Sequence, residues 1–337
     1  PSPPPSATTP LEEELLVLSG YQSLLDEAFV REAWGQVGPG STWECPGLFI
    51  LPGGKEGEEP LWVLKASGGL TNATATHGVD FWATGTFDEA KGKFVHGVNS
   101  LAMPTDLQRC DYGNYYASKT FYDPINDMRV IYGWVMEEGA YNSKGAYVYL
   151  PLMVAPLLEW RSLQAFPRSI TRDGTFMNRL LFYPIEAIRS LRTLPPVASY
   201  SRTLLPPHST TPLPQTAYST QLDLTLTFLP PFSETASFGV SVLDGIANIT
   251  IDILPNTSPH CHNATTTLHT QCANLTIGPH HGPFRFPTNQ PLELRVLVDH
   301  SIVEGFASGG AAAVTRRVYV MEETPAAVHL LNRNGAG

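Results

Sequence analysis

A glutamate in apolar surroundings is the first residue of this chain that could do chemistry. Glu44 lies in the stretch STWECPGLFILPGG, directly after Trp43 and five residues before Phe49. Apolar neighbours lower the local dielectric and favour the protonated carboxyl, which is the form a general acid needs near neutral pH. Glu44 is therefore a candidate general acid, although a surface glutamate at a strand end would have the same sequence.

A second stretch, RCDYGNYYASKTFYDP, brings three polar groups onto one short turn. Asp111, Tyr112 and Asn114 supply a carboxylate, a phenol and a carboxamide within four residues. Such a set suits hydrogen bonding to sugar hydroxyls, with aromatic rings against the apolar faces of the sugar. The alternative is an ordinary turn that leads into the strand YYASKTFYD.

Five Asn-X-Ser/Thr sequons indicate passage through the secretory pathway. They begin at Asn72, Asn248, Asn256, Asn263 and Asn274. A single sequon arises by chance, but the last four lie within 27 residues of one another. We therefore expect a secreted glycoprotein.

A cysteine pair supports the same compartment. Cys261 and Cys272 flank the sequence HNATTTLHTQ, and in an oxidising compartment we expect them to close a short loop as a disulfide. Two free thiols are the alternative. The histidines of this stretch fit no standard zinc spacing, so neither a metal nor another cofactor is predicted.

Composition limits the fold and the partners. A chain of 337 residues predicts two domains, and 30 prolines with 28 glycines predict many turns. The net charge of −10 argues against a nucleic-acid partner or an anionic membrane surface. The longest apolar run, residues 146–158, is too short to span a bilayer and contains two prolines.

The elements that must position these residues are mostly strands. Residues 1–42 predict a proline-rich linker and an amphipathic helix, with no visible leader, as in a mature or truncated chain. Short aromatic and β-branched runs over 43–192 predict strands, with one helix at PIEAIRSLRT, and residues 193–214 predict a proline-rich connector. Period-2 patterns in QLDLTLTF and NITIDI predict a β-sandwich over 215–337.

Five blocks of the chain, taken together, resemble glycoside hydrolase family 32, the invertases and fructan hydrolases, and particularly the acid invertases of plant type. The blocks are WECP, DYGNYYASKTFYD, RVIYGWVME, LQAFPRS and VLVDHSIVEGFASGG with TRRVY, in the order of the family. The resemblance implies an all-β protein in which a five-bladed β-propeller precedes a β-sandwich, with only the C-terminal blades in this chain. It also implies retaining transfer of β-fructofuranosyl groups, which needs two carboxyl groups about 5–5.5 Å apart.

The resemblance assigns roles to single residues. Glu44 matches the acid/base glutamate of the family's EC motif, and Cys45 matches the adjoining cysteine that is taken to tune it. Asp111 matches the aspartate of the DYG turn, which helps to recognise substrate near the acid/base. Asn114 stands where many plant-type members have lysine, which puts a preference for sucrose over longer fructans in doubt.

Two family motifs have no counterpart in this sequence. The nucleophile belongs to an NDPNG motif and the transition-state stabiliser to an RDP motif, and neither occurs among the 337 residues. Residues 146–158 also interrupt the family's run before LQAFPRS. We therefore expect the nucleophile on missing sequence or on another chain, so that this chain alone is inactive.

Three functional hypotheses follow. The first is a hydrolase of sucrose or fructo-oligosaccharides, located in the cell wall or vacuole. The second is a catalytically inactive carbohydrate-binding relative, and the third is a fructosyltransferase with sugar as acceptor. An incomplete propeller would leave a blade edge exposed, which also predicts self-association.

Overall fold

The computed structural model describes most of the two predicted domains. It covers residues 44–53, 59–69, 78–90, 92–96, 108–137, 139–141, 147–149, 162–176, 179–192, 196, 198–201, 203–214, 217–255, 258, 270–320 and 326–334. Several predictions fall outside these residues: the linker and helix of 1–42, Trp43, most of 146–158, Cys261, and the sequons at Asn72, Asn256 and Asn263.

Within the residues that the structure describes, the first domain contains two antiparallel sheets and a small ribbon. The first sheet contains, in sequence order, β1 (Glu44–Leu51), β2 (Leu61–Gly69), β3 (Gly78–Asp88) and β4 (Lys93–His96). The second contains β5 (Tyr115–Asp123), β6 (Met128–Val135), β9 (Leu163–Gln164), β10 (Arg168–Arg172) and β11 (Leu180–Pro184), in the order β11-β10-β6-β5 with β9 beside β6. Strands β7 (Gly139–Tyr141) and β8 (Tyr147–Tyr149) pair with each other. Sheets of four strands joined by tight turns are the building units of a propeller.

The second domain is the predicted sandwich. One sheet has the order β12 (Ser209–Pro212), β21 (His329–Asn332), β14 (Ser237–Val242), β15 (Ala247–Leu254), β16 (Thr270–Ile277) and β17 (His280–Pro287). The other has the order β13 (Gln221–Phe228), β18 (Leu292–Asp299), β19 (Ile302–Ala307) and β20 (Ala312–Arg317). The inner faces of both sheets form one apolar core.

The period-2 patterns predicted the buried faces of this sandwich correctly. Ile249, Ile251 and Ile253 of β15 are buried in the core, and Leu222 and Leu226 of β13 pack against it. Burial of one such side chain stabilises the fold by about 1.5–3 kcal/mol. The alternation of apolar and polar residues in these strands therefore determines which face of each strand packs into the core.

Two predicted boundaries differ from the structure. Residues 209–212 were expected in the connector, but as β12 they pair with β21 and so belong to the sandwich. The helix expected at PIEAIRSLRT is a single 3-10 helix, Glu186–Leu191, with only Ile188 buried. A short segment with one buried side chain, closely followed by Pro195 and Pro196, lacks the apolar stripe and the length that stabilise an α-helix.

The two domains meet along β20. The backbone N–H groups of Tyr112 and Asn114 donate to the carbonyls of Ala313 and Thr315, at 3.0 and 2.7 Å. Ile302 of the sandwich also belongs to the apolar core of the first domain. This interface fixes the segment that leads into β5. Within the described parts of the chain, no helix has the length and hydrophobicity needed to cross a membrane.

Candidate active site

Glu44 begins β1 with its side chain exposed to solvent. The phenol of Tyr116, on β5 of the neighbouring sheet, donates a hydrogen bond of 2.6 Å to Glu44 Oε2. An ionised acceptor makes such a bond stronger than a neutral pair. The exposed carboxyl is thus held by one donor from the adjacent sheet.

A β-bulge adjoins each of the two residues. The register of β1 shifts between Glu44 and Gly47, where Cys45 has φ 46°, and the register of β5 shifts after Tyr116, where Ala117 has φ 51°. A bulge inserts one residue and changes which face the following side chains occupy. In β1, Glu44 pairs with Ser67 of β2 before the bulge, and Gly47 pairs with Lys65 after it. The two bulges determine where the hydrogen-bonded pair points.

A buried ion pair lies beside these bulges. Lys65 on β2 and Asp80 on β3 are almost fully buried, with Nζ and Oδ2 3.1 Å apart. Lys65 Nζ also donates to Ser67 Oγ at 2.9 Å, to the carbonyl of Cys45 at 3.4 Å and to the carbonyl of Ser118. Asp80 Oδ2 accepts the backbone N–H of Ser118 at 2.8 Å. The pair thus connects four strands, β1, β2, β3 and β5.

An exposed aromatic ring adjoins the tyrosine. Trp134 on β6 is the register partner of Tyr116, retains 43% of its surface exposure, and has its ring 6.3 Å from the tyrosine ring. Aromatic side chains of this kind pack against the apolar faces of sugars while nearby polar groups fix orientation. The carboxyl thus stands close to a surface suited to a carbohydrate.

Tyr116 is held in its protonated form. Burial raises the pKa of Tyr116 well above its ordinary value, and the hydrogen bond to Glu44 and the charge of that carboxylate raise the pKa further. A proton that stays on the phenol keeps Tyr116 a hydrogen-bond donor at any physiological pH. It can therefore orient Glu44 throughout a reaction cycle.

The expectation that Trp43 and Phe49 desolvate Glu44 is wrong for Phe49. Phe49 is buried in the core of the first domain, where its ring lies beneath the Arg129 guanidinium, whereas Glu44 is exposed at the end of the strand. The two residues lie on the same strand, but one side chain faces solvent and the other faces the core. Trp43 lies outside the described residues.

The structure places Asp111 at the domain interface. Its carboxylate accepts from the N–H of Gly113 at 2.7 Å, and from the N–H and hydroxyl of Thr315 at 3.0 and 2.7 Å. Arg168 adds an ion pair at 2.9 Å, with both side chains fully buried. Protein donors thus occupy both oxygens, so the placement favours a structural role over the expected contact with a sugar.

The other residues of the turn also face the sandwich. Asn114 is fully buried, and its carboxamide oxygen accepts the N–H of Arg317 at 3.0 Å. Tyr112 is partly buried against the sandwich core, with the Arg109 guanidinium 5.5 Å from its ring centre. The structure does not bring these two side chains to the solvent side of Glu44. This placement favours a structural role for Tyr112 and Asn114 over the expected binding of a sugar.

Cysteines and sequons remain separate from this site, except for Cys45. Cys45 and Cys110 carry free thiols, and Cys45 bonds to Lys65 through its carbonyl. Cys272 is disulfide-bonded, whereas its predicted partner Cys261 lies outside the described residues, so that pairing stays a prediction. Asn248 and Asn274 are half-buried on β15 and β16, and their glycans also stay predictions. The described residues hold no cluster of three or more potential metal ligands.

The interpretation of the sequence missed Tyr116, Trp134, Lys65 and Asp80. Lys65 and Asp80 could have been found from the sequence, because each is a charged residue inside an apolar strand, LWVLKAS or VDFWATG. Burial of such a residue is costly unless it is paired. Tyr116 had no such signal, since the bulge that turns it toward Glu44 cannot be identified from alternation alone.

The fold is that of a two-domain, all-β protein. The family model of the glycosyl hydrolases family 32 N-terminal domain matches residues 23–184, and the model of the family's C-terminal domain matches residues 189–337. The chain belongs to glycosyl hydrolase family 32. The predicted family and the predicted all-β fold class are therefore confirmed.

Individual relatives agree with this assignment. The acid beta-fructofuranosidase of Solanum lycopersicum is 31% identical over an alignment that covers 88% of this chain and 50% of that protein. Acid beta-fructofuranosidase 2, vacuolar, of a Rosa hybrid cultivar is 28% identical, covering 76% of this chain and 43% of that protein. The chain thus spans about half the length of the curated relatives it matches.

Solved structures show the same fold. Fructan 1-exohydrolase IIa from Cichorium intybus superposes with a TM-score of 0.59 at 20% identity, over 86% of this chain and 58% of that chain. The exo-inulinase from Aspergillus awamori gives a TM-score of 0.60 at 20% identity, over 88% of this chain and 55% of that chain.

Proposed function

We propose that this chain carries the acid/base half of a glycosidase site that cleaves β-fructofuranosides such as sucrose. The observation that carries the proposal is the exposed carboxyl of Glu44, held at 2.6 Å by the phenol of Tyr116. An acid/base must reach the glycosidic oxygen, and solvent exposure at the end of β1 leaves room for a sugar to do so. The names of the relatives support β-fructofuranosides as the substrate class.

In a retaining mechanism Glu44 acts twice. It first gives its proton to the glycosidic oxygen as the leaving group departs, while a second carboxylate attacks the anomeric carbon and forms a fructosyl-enzyme ester. Glu44 then removes a proton from water, whose oxygen attacks the anomeric carbon and releases fructose. Tyr116 orients the carboxyl in both steps, and Trp134 offers an apolar surface to the sugar.

The second carboxylate is proposed to lie outside these 337 residues or on another chain. Neither the nucleophile motif NDPNG nor the stabiliser motif RDP occurs in the sequence. Asp80 is unsuited to the role because it is buried and paired with Lys65 at 3.1 Å. By this proposal the isolated chain holds one of the two reacting groups.

Transfer to a sugar is the second candidate function. The 6(G)-fructosyltransferase of Asparagus officinalis is 30% identical over an alignment that covers 72% of this chain and 43% of that protein. Transfer uses the same fructosyl-enzyme, with a sugar hydroxyl replacing water as the acceptor. Product analysis at high sucrose separates the two, since a hydrolase releases free fructose and a transferase forms longer oligosaccharides.

The test compares two glutamate substitutions in protein made from the complete reading frame. We expect Glu44→Gln to lower kcat on sucrose by about 10²- to 10⁴-fold, the usual contribution of general acid–base catalysis. Glu59→Gln changes an exposed glutamate outside the site and should leave kcat unchanged. Unchanged turnover in Glu44→Gln would overturn the proposal, and so would an inactive wild-type protein that only binds sugar, as expected of an inactive carbohydrate-binding relative.

The compartment is proposed to be the vacuole or the outside of the cell. The printed name of the Rosa relative includes the word vacuolar, and the half-buried Asn248 and Asn274 would carry N-glycans there. A mass shift of the native protein after treatment with a peptide N-glycosidase tests this. No shift at either asparagine would contradict glycosylation at the described sequons.

A further inference from the structure

Lys65 is a buried lysine whose ammonium group contacts the backbone at both bulges of the candidate site. It occupies β2, next to β1, with a relative exposure of 2%. Its Nζ donates to the Cys45 carbonyl at 3.4 Å, within the bulge of β1, and to the Ser118 carbonyl, within the bulge of β5. A single side chain thus bonds both irregular segments.

The residues that precede the two bulges are the hydrogen-bonded pair itself. Glu44 is followed by Cys45 with φ 46°, and Tyr116 is followed by Ala117 with φ 51°. Non-glycine residues in this region of backbone space persist only when surrounding contacts hold them. The contacts of Lys65 with the Cys45 and Ser118 carbonyls supply such support on both sides.

Asp80 completes the arrangement. It pairs with Lys65 at 3.1 Å and accepts the N–H of Ser118 at 2.8 Å, so the β5 bulge is held at both its carbonyl and its N–H. Burying two charges contributes little stability compared with apolar side chains of similar size. The contribution of the Lys65–Asp80 pair is geometric, because its hydrogen bonds fix backbone carbonyl and N–H groups that an apolar pair could not bond.

We propose that Lys65, paired with Asp80, is a positioning residue that holds both bulges and thereby sets the contact between Tyr116 and Glu44. The inference deepens the proposed function, and only its consequence for catalysis rests on Glu44 being the acid/base. Lys65 touches neither the carboxyl of Glu44 nor the phenol of Tyr116 in this arrangement; it acts through the backbone.

A second lysine gives the rival explanation. Lys119 donates to the carbonyl of Pro46 at 2.8 Å, but its side chain lies at the surface and reaches the β1 bulge alone. If one bonded carbonyl were enough, Lys119 would maintain the pair after Lys65 is lost. The comparison of Lys65→Met with Lys119→Met therefore separates the two explanations.

The measured quantity is the ionisation of Tyr116 in the 337-residue chain. It is followed by NMR with tyrosine labelled at the ring carbon that bears the hydroxyl. The Tyr116→Phe variant assigns the signal. An ordinary tyrosine ionises at about pH 10, whereas Tyr116 should ionise at a higher pH. Glu44, Asp80 and Cys45 are the charged or titratable groups that raise its pKa besides burial. Loss of the Lys65 charge leaves Asp80 unpaired and by itself would raise the pKa of Tyr116 further. A fall in that pKa therefore reports displacement of Tyr116 from its partly buried position against Glu44.

We expect Lys65→Met to lower the pKa of Tyr116 by at least one unit, while Lys119→Met leaves it near the wild-type position. Arg295→Met removes a buried arginine paired with Asp223 in the sandwich, and should leave Tyr116 unchanged although it also costs stability. Lys65→Arg keeps the charge but replaces a compact ammonium with a planar guanidinium. It is the substitute variant if Lys65→Met does not fold, and it should also lower the pKa of Tyr116.

Unchanged ionisation of Tyr116 in a folded Lys65 variant would overturn the inference, as would an equal shift in Arg295→Met. In protein from the complete reading frame, the same Lys65 variants should lower kcat at least tenfold with KM within twofold of the wild-type value. Failure of the proposed function appears elsewhere, as wild-type turnover in Glu44→Gln. A shift of Tyr116 together with wild-type turnover in Glu44→Gln would support the positioning and reject the catalytic role.

Discussion

Glu44 and Tyr116 form a pair in which each side chain determines a property of the other. The phenol restrains an exposed carboxyl that would otherwise sample several rotamers, and the carboxylate helps to keep the proton on the phenol. Burial makes the largest contribution to the raised pKa of Tyr116, and the hydrogen bond and charge of Glu44 add to it. The two groups can therefore be studied through either partner.

Glu44→Gln is predicted to lower the pKa of Tyr116. Loss of the carboxylate removes a negative charge and a strong acceptor, both of which disfavour the phenolate, whereas the contribution of burial remains. The pKa should stay above the ordinary value of 10.0. NMR titration of labelled tyrosine measures it, with Glu59→Gln as the surface control, and an unchanged titration would mean that the pair does not form in solution.

At this scale the sequence could identify the acid/base but not its partner. Glu44 stands in the short motif WECP, which needs no three-dimensional knowledge to notice. Tyr116 follows another tyrosine in YYASK, and only the bulge after it decides which ring faces Glu44. Asp111 was interpreted as a sugar ligand because a turn of polar residues looks exposed, yet its partners Arg168 and Thr315 come from distant parts of the chain.

Among the elements, the segment from Asp111 to Asn114 joins the two domains. Gly113 lies against the backbone of β20, where a Cβ atom would stand 1.8 Å from the carbonyl oxygen of Thr315. The approach is that of one backbone to another, so no flexible side chain can move aside. The glycine of the turn therefore serves close packing of the domains.

Gly113→Ala is predicted to destabilise the protein by about 1–3 kcal/mol or more, the usual cost of overpacking. The interface has to open, or the bonds from Tyr112 and Asn114 to β20 have to break. Chemical denaturation measures the loss. Gly174→Ala is the matched control, since nothing lies within 4 Å of its Cβ position. Equal stability of the two variants would contradict the close approach at Gly113.

The strands themselves were largely predictable, and their irregularities were not. Alternation in QLDLTLTF and NITIDI identified the inner faces of β13 and β15. The bulges at Cys45 and Ala117 use ordinary residues with positive φ, which carry no sequence signature comparable to glycine. Strand β12 was missed for a similar reason, because its proline and threonines resemble the connector that precedes it.

For the whole molecule, buried charges join the propeller blades to the sandwich. Arg168 pairs with Asp111 at 2.9 Å and with Glu304 at 2.7 Å, and all three side chains are fully buried. Burial raises the pKa of Glu304, which the charge of Arg168 opposes. Arg168 therefore supplies the counter-charge of two buried carboxylates at this interface, and Arg317 forms a second buried ion pair with Glu137 across it, at 3.1 Å.

Arg168→Met is predicted to lower the free energy of unfolding by about 3–5 kcal/mol, because removal of one partner leaves two buried carboxylates without their counter-charge. Thermal denaturation should show the domains separating before they unfold. Arg189→Met removes a solvent-exposed pair with Glu186 and should cost at most about 1 kcal/mol after screening. Equal losses in the two variants would contradict this account of the interface.

The order of the family blocks predicted the all-β, two-domain architecture of the whole molecule. Assembly is a different matter, since it depends on surfaces that the blocks do not describe. Self-association through an exposed blade edge stays a prediction, and sedimentation of the 337-residue chain tests it. A monodisperse monomer that melts cooperatively would contradict it.

The central claim, that Glu44 donates the proton to the leaving group, is tested most directly by changing that group. Departure of p-nitrophenolate needs little protonation, whereas departure of the glucosyl oxygen of sucrose needs it. In protein from the complete reading frame, Glu44→Gln should therefore still release a fast burst of p-nitrophenol from p-nitrophenyl β-fructofuranoside while it loses about 10²- to 10⁴-fold in kcat on sucrose. An equal loss on both substrates, without a burst, would contradict the assignment of Glu44 as the acid/base.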